Sequence, residues 1–273
     1  LQEVVIRPVN PTQILRQMLE NRKKNYSEVP VYLTSFYREM IERKSKNRDL
    51  TEAVIKNYKK GYTEEGNDQA KLIKMRHVYR RAEQDTLLAK MKSGIQSVML
   101  LDVIKILPDF LLVDDIHNPY EYAHVDYTVM DDRMVHVISF EQKKRNKNPL
   151  YKGLLYIDAD NQALVEAQFE IHPDYVRDAT NMFIEKGSRL FKLSLRKAAY
   201  TVSYKPAPNG IYYLNYIRGE LDFRVRFKKH LFSSSLNVWL ETVTCDVERE
   251  NVRPFPRSER LSVRSIFSET EHN

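Results

Sequence analysis

The stretch YEYAHVDYTVMDDRMVHVISFEQ, residues 120–142, decides how the chain is expected to fold. Two runs of alternating apolar and polar side chains flank Asp131-Asp132, a pattern typical of two antiparallel strands joined by a two-residue turn. In that register, one face carries Ala123, Val125, Tyr127, Val129, Met134, Ile138 and Phe140. The opposite face carries His124, Asp126, Thr128 and Arg133. The sequence therefore predicts a sheet with one face on a core and the other in water.

A second hairpin is predicted in LYKGLLYIDADNQALVEAQFEI, residues 150–171. Its centre holds three side chains with oxygens, Asp158, Asp160 and Asn161, and so resembles the start of a calcium loop. Such a loop needs Gly at its sixth position and Glu at its twelfth, where this chain has Ala163 and Phe169. Residues 163–171 also alternate as a strand does, so we interpret residues 158–161 as a turn.

The remaining periodicities predict a mostly β chain with two helices. Residues 12–24 have the spacing of an amphipathic helix, and residues 94–106 form an apolar run that predicts a buried central helix ended by Pro108. Residues 174–190 fit a short helix and a strand equally well. Pro208-Asn209-Gly210 predicts a further hairpin turn. Additional strands are predicted within residues 31–43, 49–62, 70–82, 196–205, 211–227 and 236–247.

The composition is that of a soluble globular protein, with 273 residues, 42% of them hydrophobic and 30% charged. The formal net charge is +7, but the basic residues are spread along the chain, which favours ordinary surface chemistry over a nucleic-acid partner. No apolar run reaches the roughly 18 residues of a transmembrane helix. The single cysteine, Cys245, lies in a strand pattern and is predicted to be a small buried side chain.

The sequence contains no recognisable catalytic constellation. It has no GxSxG, P-loop or GxGxxG motif and no pair of histidines at HxxxH spacing. In the hairpin register above, His124 faces Ser139 and His136 faces Tyr127, so the two histidines are predicted to point to opposite sides of the sheet. We therefore expect no metal, no cofactor and no enzymatic activity.

Seven stretches together resemble Bacteroidetes proteins that carry a carboxypeptidase regulatory-like domain. They are LQEVVI (1–6), NRKKNYSEVPVYLTSFYREMI (21–41), LTEAVIKNYKKGY (50–62), KLIKMR (71–76), YKGLLYID (151–158), YYLNYIRGEL (212–221) and RPFPRSER (253–260). The resemblance implies that residues 1–10 are a linker from a preceding immunoglobulin-like domain. Residues 11–250 would then form one domain, and residues 251–273 a tail on its surface. Nothing in these stretches resembles a peptidase.

The layout is also similar to the lipoprotein-carrier fold of the bacterial periplasm. That similarity implies an α+β, mostly β chain, in which a strongly curved antiparallel sheet forms an open half-barrel around the helices. It further implies an apolar cavity lined by the central helix, at Ile95, Val98, Met99, Val103, Ile104 and Leu107. The location implied is the periplasm or the outer membrane, and the cytoplasm stays open as an alternative.

Two functions remain open at this point. In the first, the concave face of the sheet binds a lipid, a lipoprotein acyl chain or an apolar segment of an envelope protein. In the second, the central helix fills the concave face and the protein is a scaffold. A cavity of about 300 Å³ or more beside residues 94–112 would favour the first. The motif Phe36-Tyr37-Arg38-Glu39 is predicted to be structural, with Tyr37 and Glu39 on one face and an ionic partner for Arg38 or Glu39 on a neighbouring strand.

Overall fold

The framework of the protein is a single antiparallel sheet. The computed structural model describes residues 9–43, 47–79, 94, 98–184, 191–228 and 232–261. The strands of these residues are β1 (Val31–Arg43), β2 (Asn47–Lys59), β3 (Gln69–Tyr79), β4 (Tyr120–Met130), β5 (Arg133–Gln142), β6 (Tyr151–Asp158), β7 (Leu164–Ile171), β8 (Phe191–Pro206), β9 (Tyr212–Phe227) and β10 (Ser234–Glu248).

The order of the strands leaves the sheet open. Neighbouring strands follow the order β3-β2-β1-β10-β9-β8-β7-β6-β5-β4, so β3 and β4 form the two edges. Every step in this order except the β1–β10 pair joins strands that follow each other along the chain. The predicted open antiparallel sheet is therefore confirmed.

One face of the sheet, the inner face, carries the core. In β1 the burial alternates residue by residue, with Leu33, Tyr37 and Ile41 buried, because successive side chains in a strand point to opposite faces. The same alternation builds two apolar clusters along the inner face. The first contains Tyr37, Ile138, Phe140, Phe169, Val202, Tyr204, Ile217 and Leu240. The second contains Ile41, Ile171, Leu195, Leu221, Phe223, Leu236 and Val238.

Two helices precede the sheet, α1 (Pro11–Glu20) and α2 (Arg22–Asn25), and α1 adds to the first cluster. The side chain of Asn10 accepts hydrogen bonds from the backbone N–H groups of Thr12 and Gln13, at 3.1 and 3.3 Å, and so caps α1. Ile14, Leu15 and Met18 are buried on one side of the helix. The helix predicted over residues 12–24 is confirmed, with an interruption at Asn21.

The buried central helix predicted over residues 94–106 is not confirmed. Residues 95–97 lie outside the described part of the chain, Val98 and Met99 are helical, and residues 100–106 form turns. A short 3-10 helix, Asp109–Leu111, follows. The Asp102 carbonyl accepts the N–H groups of Lys105 and Ile106, at 3.1 and 2.8 Å, which closes one isolated turn. Asp102 is held by partners on the sheet, and this tertiary contact overrides the local periodicity.

The hairpin of β4 and β5 has the predicted turn but a different register. Asp131 and Asp132 have φ of 47° and 61°, as a two-residue type I′ turn requires. A β-bulge at Val125 then places His124 opposite Ile138, whereas Tyr127 faces His136 as predicted. The prediction that His124 faces Ser139 is wrong, because a bulge inserts one residue that the alternation of apolar residues does not reveal.

The bulge also changes which side chains of the hairpin meet. His124 and His136 point to the same side, with 3.1 Å between Nε2 of the first and Nδ1 of the second, so the prediction of opposite sides is wrong. The predicted apolar face is divided: Ile138 and Phe140 are buried, whereas Val125, Tyr127, Val129 and Met134 are 44–67% exposed. The exposed residues lie at the turn end of the hairpin, on and beside the edge strand β4.

The turn predicted at residues 158–161 is confirmed. Asp158 is buried, and its Oδ1 accepts the N–H groups of Asp160 and Asn161 at 2.9 and 3.2 Å. Its Oδ2 accepts from Arg133 Nη1 and Tyr212 Oη, both at 3.0 Å. Burial alone would raise the pKa of Asp158, but these hydrogen bonds hold it below its usual value.

The structure also tests the predictions for residues 174–190 and for Cys245. Within residues 174–190, Asp178–Met182 form a 3-10 helix, and residues 185–190 lie outside the described part of the chain. Cys245 is exposed, so the prediction of a buried thiol is wrong. The buried side chains of β10 are Leu236, Val238, Leu240 and Thr242, so the alternation places Cys245 on the exposed side of the strand together with Val243. Among the described residues, no helix has the length and apolar character to cross a membrane.

Candidate functional site

Five of the six side chains that the sequence predicts for an apolar ligand lie in the described part of the chain. Val98, Val103 and Ile104 are buried, with 1–4% of their surface exposed. Met99 and Leu107 are half-buried and pack against the first apolar cluster. Ile95 lies outside the described residues. Of the five described side chains, three belong to the core and Met99 lines a cleft.

A cleft of about 680 Å³ lies between residues 99–106 and the connection from β2 to β3. We call it the Met99 cleft. Its walls are Arg22, residues 62–70, Met99, Leu100, Lys105, Ile106, Arg260 and Leu261. Leu100 and Ile106 remain 63% and 46% exposed, although Val98, Val103 and Ile104 of the same segment are core residues. The cleft therefore exposes large apolar side chains within a concave surface.

Lys105 bridges the two walls of the Met99 cleft. Its Nζ donates to the carbonyl oxygens of Gly61 and Glu64, at 2.5 and 2.7 Å. Burial lowers the pKa of Lys105. Gly61 is required here, because a Cβ at this position would lie 2.2 Å from the Glu28 carbonyl oxygen. These contacts fix the distance between the apolar wall and the β2–β3 connection.

A buried charged network lies beside the cleft and anchors residues 98–106. Lys59, with a side chain 4% exposed, forms ion pairs with Asp68, at 2.8 Å, and with Asp102, which is fully buried. Asp102 Oδ1 also accepts from Tyr204 Oη at 2.7 Å. Burial alone would lower the pKa of Lys59, but the two carboxylates outweigh it and the pKa is raised. Lys59 therefore stays charged inside the protein.

Aromatic rings enclose this network and leave little free space. The ring of Tyr26 lies 5.0 Å from Tyr62, 5.5 Å from Tyr204 and 6.0 Å from Tyr212, measured between centroids. The gap bounded by Lys59, Tyr62 and Tyr212 measures only about 10 Å³, roughly the minimum for one water molecule. This part of the inner face is filled, and space for a ligand begins at the Met99 cleft.

The motif at residues 36–39 has the predicted geometry. Tyr37 and Glu39 are buried on the inner face, and Tyr37 Oη donates to Glu39 Oε2 at 3.0 Å. Burial raises the pKa of Glu39, although hydrogen bonds from Tyr37 and the Gly94 backbone partly offset it. Arg38 lies on the other face and contacts Glu52 of β2 at 3.2 Å, so the predicted ionic partner is confirmed.

Sequence reasoning missed the residues that shape the cleft. Asp102 and Lys105 are the only charged residues between Gly94 and Pro108, and two charges in an otherwise apolar run are a signal of buried or bridging contacts. Leu100 and Ile106 fit the same apolar run as their buried neighbours. Nothing in the sequence marks them as exposed. Among the described residues, no three or more His, Cys, Asp or Glu side chains are grouped to hold a metal.

Comparisons with known proteins leave the family open. No protein-family model and no curated protein matches the chain, so the resemblance to the Bacteroidetes proteins stays a prediction. The chain is similar to a domain from Vibrio parahaemolyticus described as an outer membrane lipoprotein-sorting protein, with 10% identity, a TM-score of 0.35, and coverage of 90% of this chain and 95% of that one.

Two further solved structures show comparable similarity. A DUF1329 family protein from Desulfovibrio piger has 10% identity and a TM-score of 0.36, with 92% of this chain and 99% of that one covered. A LolA superfamily protein from Nitrosomonas europaea has 13% identity and a TM-score of 0.31, with 93% and 98% covered. At these TM-scores and identities, the likeness carries no argument about the fold or function of this chain.

Proposed function

We propose that the protein is a non-enzymatic binding protein that takes an apolar chain into the Met99 cleft. The ligand class is a lipid, a lipoprotein acyl chain or an apolar segment of a partner protein. The observation that carries this proposal is the exposure of Leu100 and Ile106, 63% and 46%, inside a cleft of about 680 Å³. Ligand pockets typically measure about 300–1,000 Å³.

An apolar chain suits this cleft for energetic reasons. Each methylene group removed from water contributes about 0.8 kcal/mol, and Leu100 and Ile106 would lose exposed surface in the same step. Met99 adds an unbranched, adaptable side chain that packs against varied apolar groups. The similarity of the layout to the lipoprotein-carrier fold favours a location in the periplasm or at the outer membrane, where such ligands occur.

The second candidate function is a scaffold with a filled core. The burial of Val98, Val103 and Ile104 favours it, as does the gap of only about 10 Å³ beside Lys59. The two functions make different demands on Met99. In a binding protein this side chain faces the ligand, whereas in a scaffold it only packs against the core.

The test compares Met99→Ala with Ile104→Ala in a fluorescence titration with the apolar dye N-phenyl-1-naphthylamine and in urea unfolding. Ile104 is 1% exposed, so its truncation is expected to cost about 2–5 kcal/mol. Met99 borders open space and loses fewer contacts, so we expect a clearly smaller loss of stability together with altered dye affinity.

Matched controls separate the cleft from general surface hydrophobicity. Leu100→Gln removes an apolar wall of the cleft and is expected to weaken dye binding. Ile116→Gln removes a side chain that is 91% exposed and outside the cleft, and is expected to leave dye binding unchanged. Equal, large losses of stability at Met99 and Ile104 with no dye uptake would establish the scaffold instead.

A further inference from the structure

A groove of about 740 Å³ lies where β8 and β10 begin and β9 ends. Its lining consists of cationic side chains and serines. The cations are Arg177, Lys192, Arg196, Arg224 and Arg226, and none of the described residues that line the groove carries a carboxylate. We call it the basic groove. It shares no lining residue with the Met99 cleft, so its chemistry is separate from the proposed function.

Strand alternation and register bring these cations together. In β9, Phe223 and Val225 are buried on the inner face, so Arg224 and Arg226 point outward. The β8–β9 register places Lys192 opposite Arg226. Arg177 comes from the connection between β7 and β8. Residues distant in the sequence thus form one dense positive surface, which the even spread of basic residues along the chain does not reveal.

Most of this positive charge is uncompensated. Arg196 contacts Asp222 at 3.5 Å, and Arg224 Nε donates to Ser233 Oγ at 2.9 Å. Within the described part of the chain, Arg177, Lys192 and Arg226 form no ion pair. Like charges directly opposite each other on antiparallel strands are destabilising. The Lys192–Arg226 pair therefore costs stability in the free protein, and a bound anion would relieve that cost.

We propose that the basic groove binds phosphate groups. Arginine presents planar N–H donors that match phosphate oxygens in two-pronged contacts, and serine hydroxyls add further donors. The shared chemistry is a phosphate ester, carried either by a lipid headgroup or by a soluble molecule. The groove is much larger than a single phosphate, so it accommodates the group to which the phosphate is attached.

The test uses the variant Lys192→Gln/Arg226→Gln and the control Arg253→Gln/Arg257→Gln. Both remove two positive charges, and the control residues are exposed and outside the groove. Wild-type protein is expected to melt at a higher temperature in sodium phosphate or glycerol 1-phosphate than in sodium chloride of equal ionic strength. The groove variant is expected to lose this shift and, without phosphate, to melt at or above the wild-type temperature.

Vesicles identify the source of the phosphate. Each cation near an anionic membrane surface strengthens binding by about fivefold, so the groove variant should bind phosphatidylglycerol vesicles on the order of 30-fold more weakly than the wild type, while the control keeps its binding. This result assigns the site to lipid headgroups. A phosphate-dependent melting shift without vesicle binding assigns it to soluble esters. The proposal would be overturned if vesicle binding weakened equally in the groove variant and the control, or if phosphate did not change the melting temperature of the wild type.

Discussion

The substitution Asp102→Asn tests the network that anchors residues 98–106. Asp102 is fully buried, and its carboxylate binds Lys59, Tyr204 Oη at 2.7 Å and the Lys105 N–H at 3.2 Å. The amide retains the size of the side chain and one acceptor oxygen but removes the negative charge. Among the described residues, Lys59 then keeps Asp68 as its one anionic partner, at 2.8 Å.

The expected loss of stability follows from the cost of removing one partner of a buried charge. Removing one member of a buried ion pair typically costs about 3–5 kcal/mol. Because Asp68 still contacts Lys59, we expect the lower end, about 3 kcal/mol. A chain of this size loses about 2–4 °C of Tm per kcal/mol, which corresponds to a fall of about 6–12 °C.

Urea unfolding at pH 7.5 measures the loss, and Glu64→Gln is the matched control. Glu64 pairs with Lys60 at 3.4 Å with its side chain 49% exposed, and such surface pairs contribute about 1 kcal/mol at most. The raised pKa of Lys59 means that its stabilising contribution is present below the unfolded value of about 10.4 and is lost as the pH rises through the folded value. A loss at Asp102 no greater than that at Glu64 would refute the buried network.

Three further predictions concern other parts of the fold. Millimolar calcium should leave Tm unchanged, because both carboxylate oxygens of Asp158 already accept hydrogen bonds; a calcium shift that Asp158→Ala abolishes would contradict this. Glu39→Gln should raise stability at pH 7. Burial raises the pKa of Glu39 in the folded protein. The contribution of Glu39 to folding stability is therefore fully present below pH about 4.5 and is lost as the pH rises through the folded-state pKa. The stabilities of the wild type and the variant should converge in acid. Gly153→Ala should unfold the protein or strongly lower its Tm in a thermal melt, because a Cβ there would lie 2.0 Å from the Gln168 carbonyl oxygen; a wild-type Tm would show that the β6–β7 pair is wider.

Much of the sheet was predictable because strand periodicity is a local property. The alternation in residues 31–43 and the turns at Asp131-Asp132 and Pro208–Gly210 appear in the structure where the sequence places them. The sequence also predicted that Arg38 has an ionic partner, because opposite charges on neighbouring strands stabilise the pair. Which residue supplies that partner, Glu52, depends on the register of β1 and β2.

The candidate sites were less accessible to sequence reasoning. The apolar run at residues 94–107 correctly indicates burial of Val98, Val103 and Ile104. It does not distinguish them from Leu100 and Ile106, because in a chain of turns the exposed positions follow no fixed period. The path of this segment is anchored at Asp102, whose partner Lys59 lies 43 positions earlier in the sequence.

The sequence by itself determined the class of the fold: alternation with a period of two defines strands, and Asp, Asn, Pro and Gly mark the turns between them. Tertiary structure alone decided the bulge at Val125, which brings His124 to His136, and the choice of which side of β10 is buried, which leaves the thiol of Cys245 exposed. It also assembled the Met99 cleft and the basic groove. The physical reason is that alternation is set within each strand, whereas a bulge or a meeting of distant side chains depends on the energy of pairing with neighbouring strands.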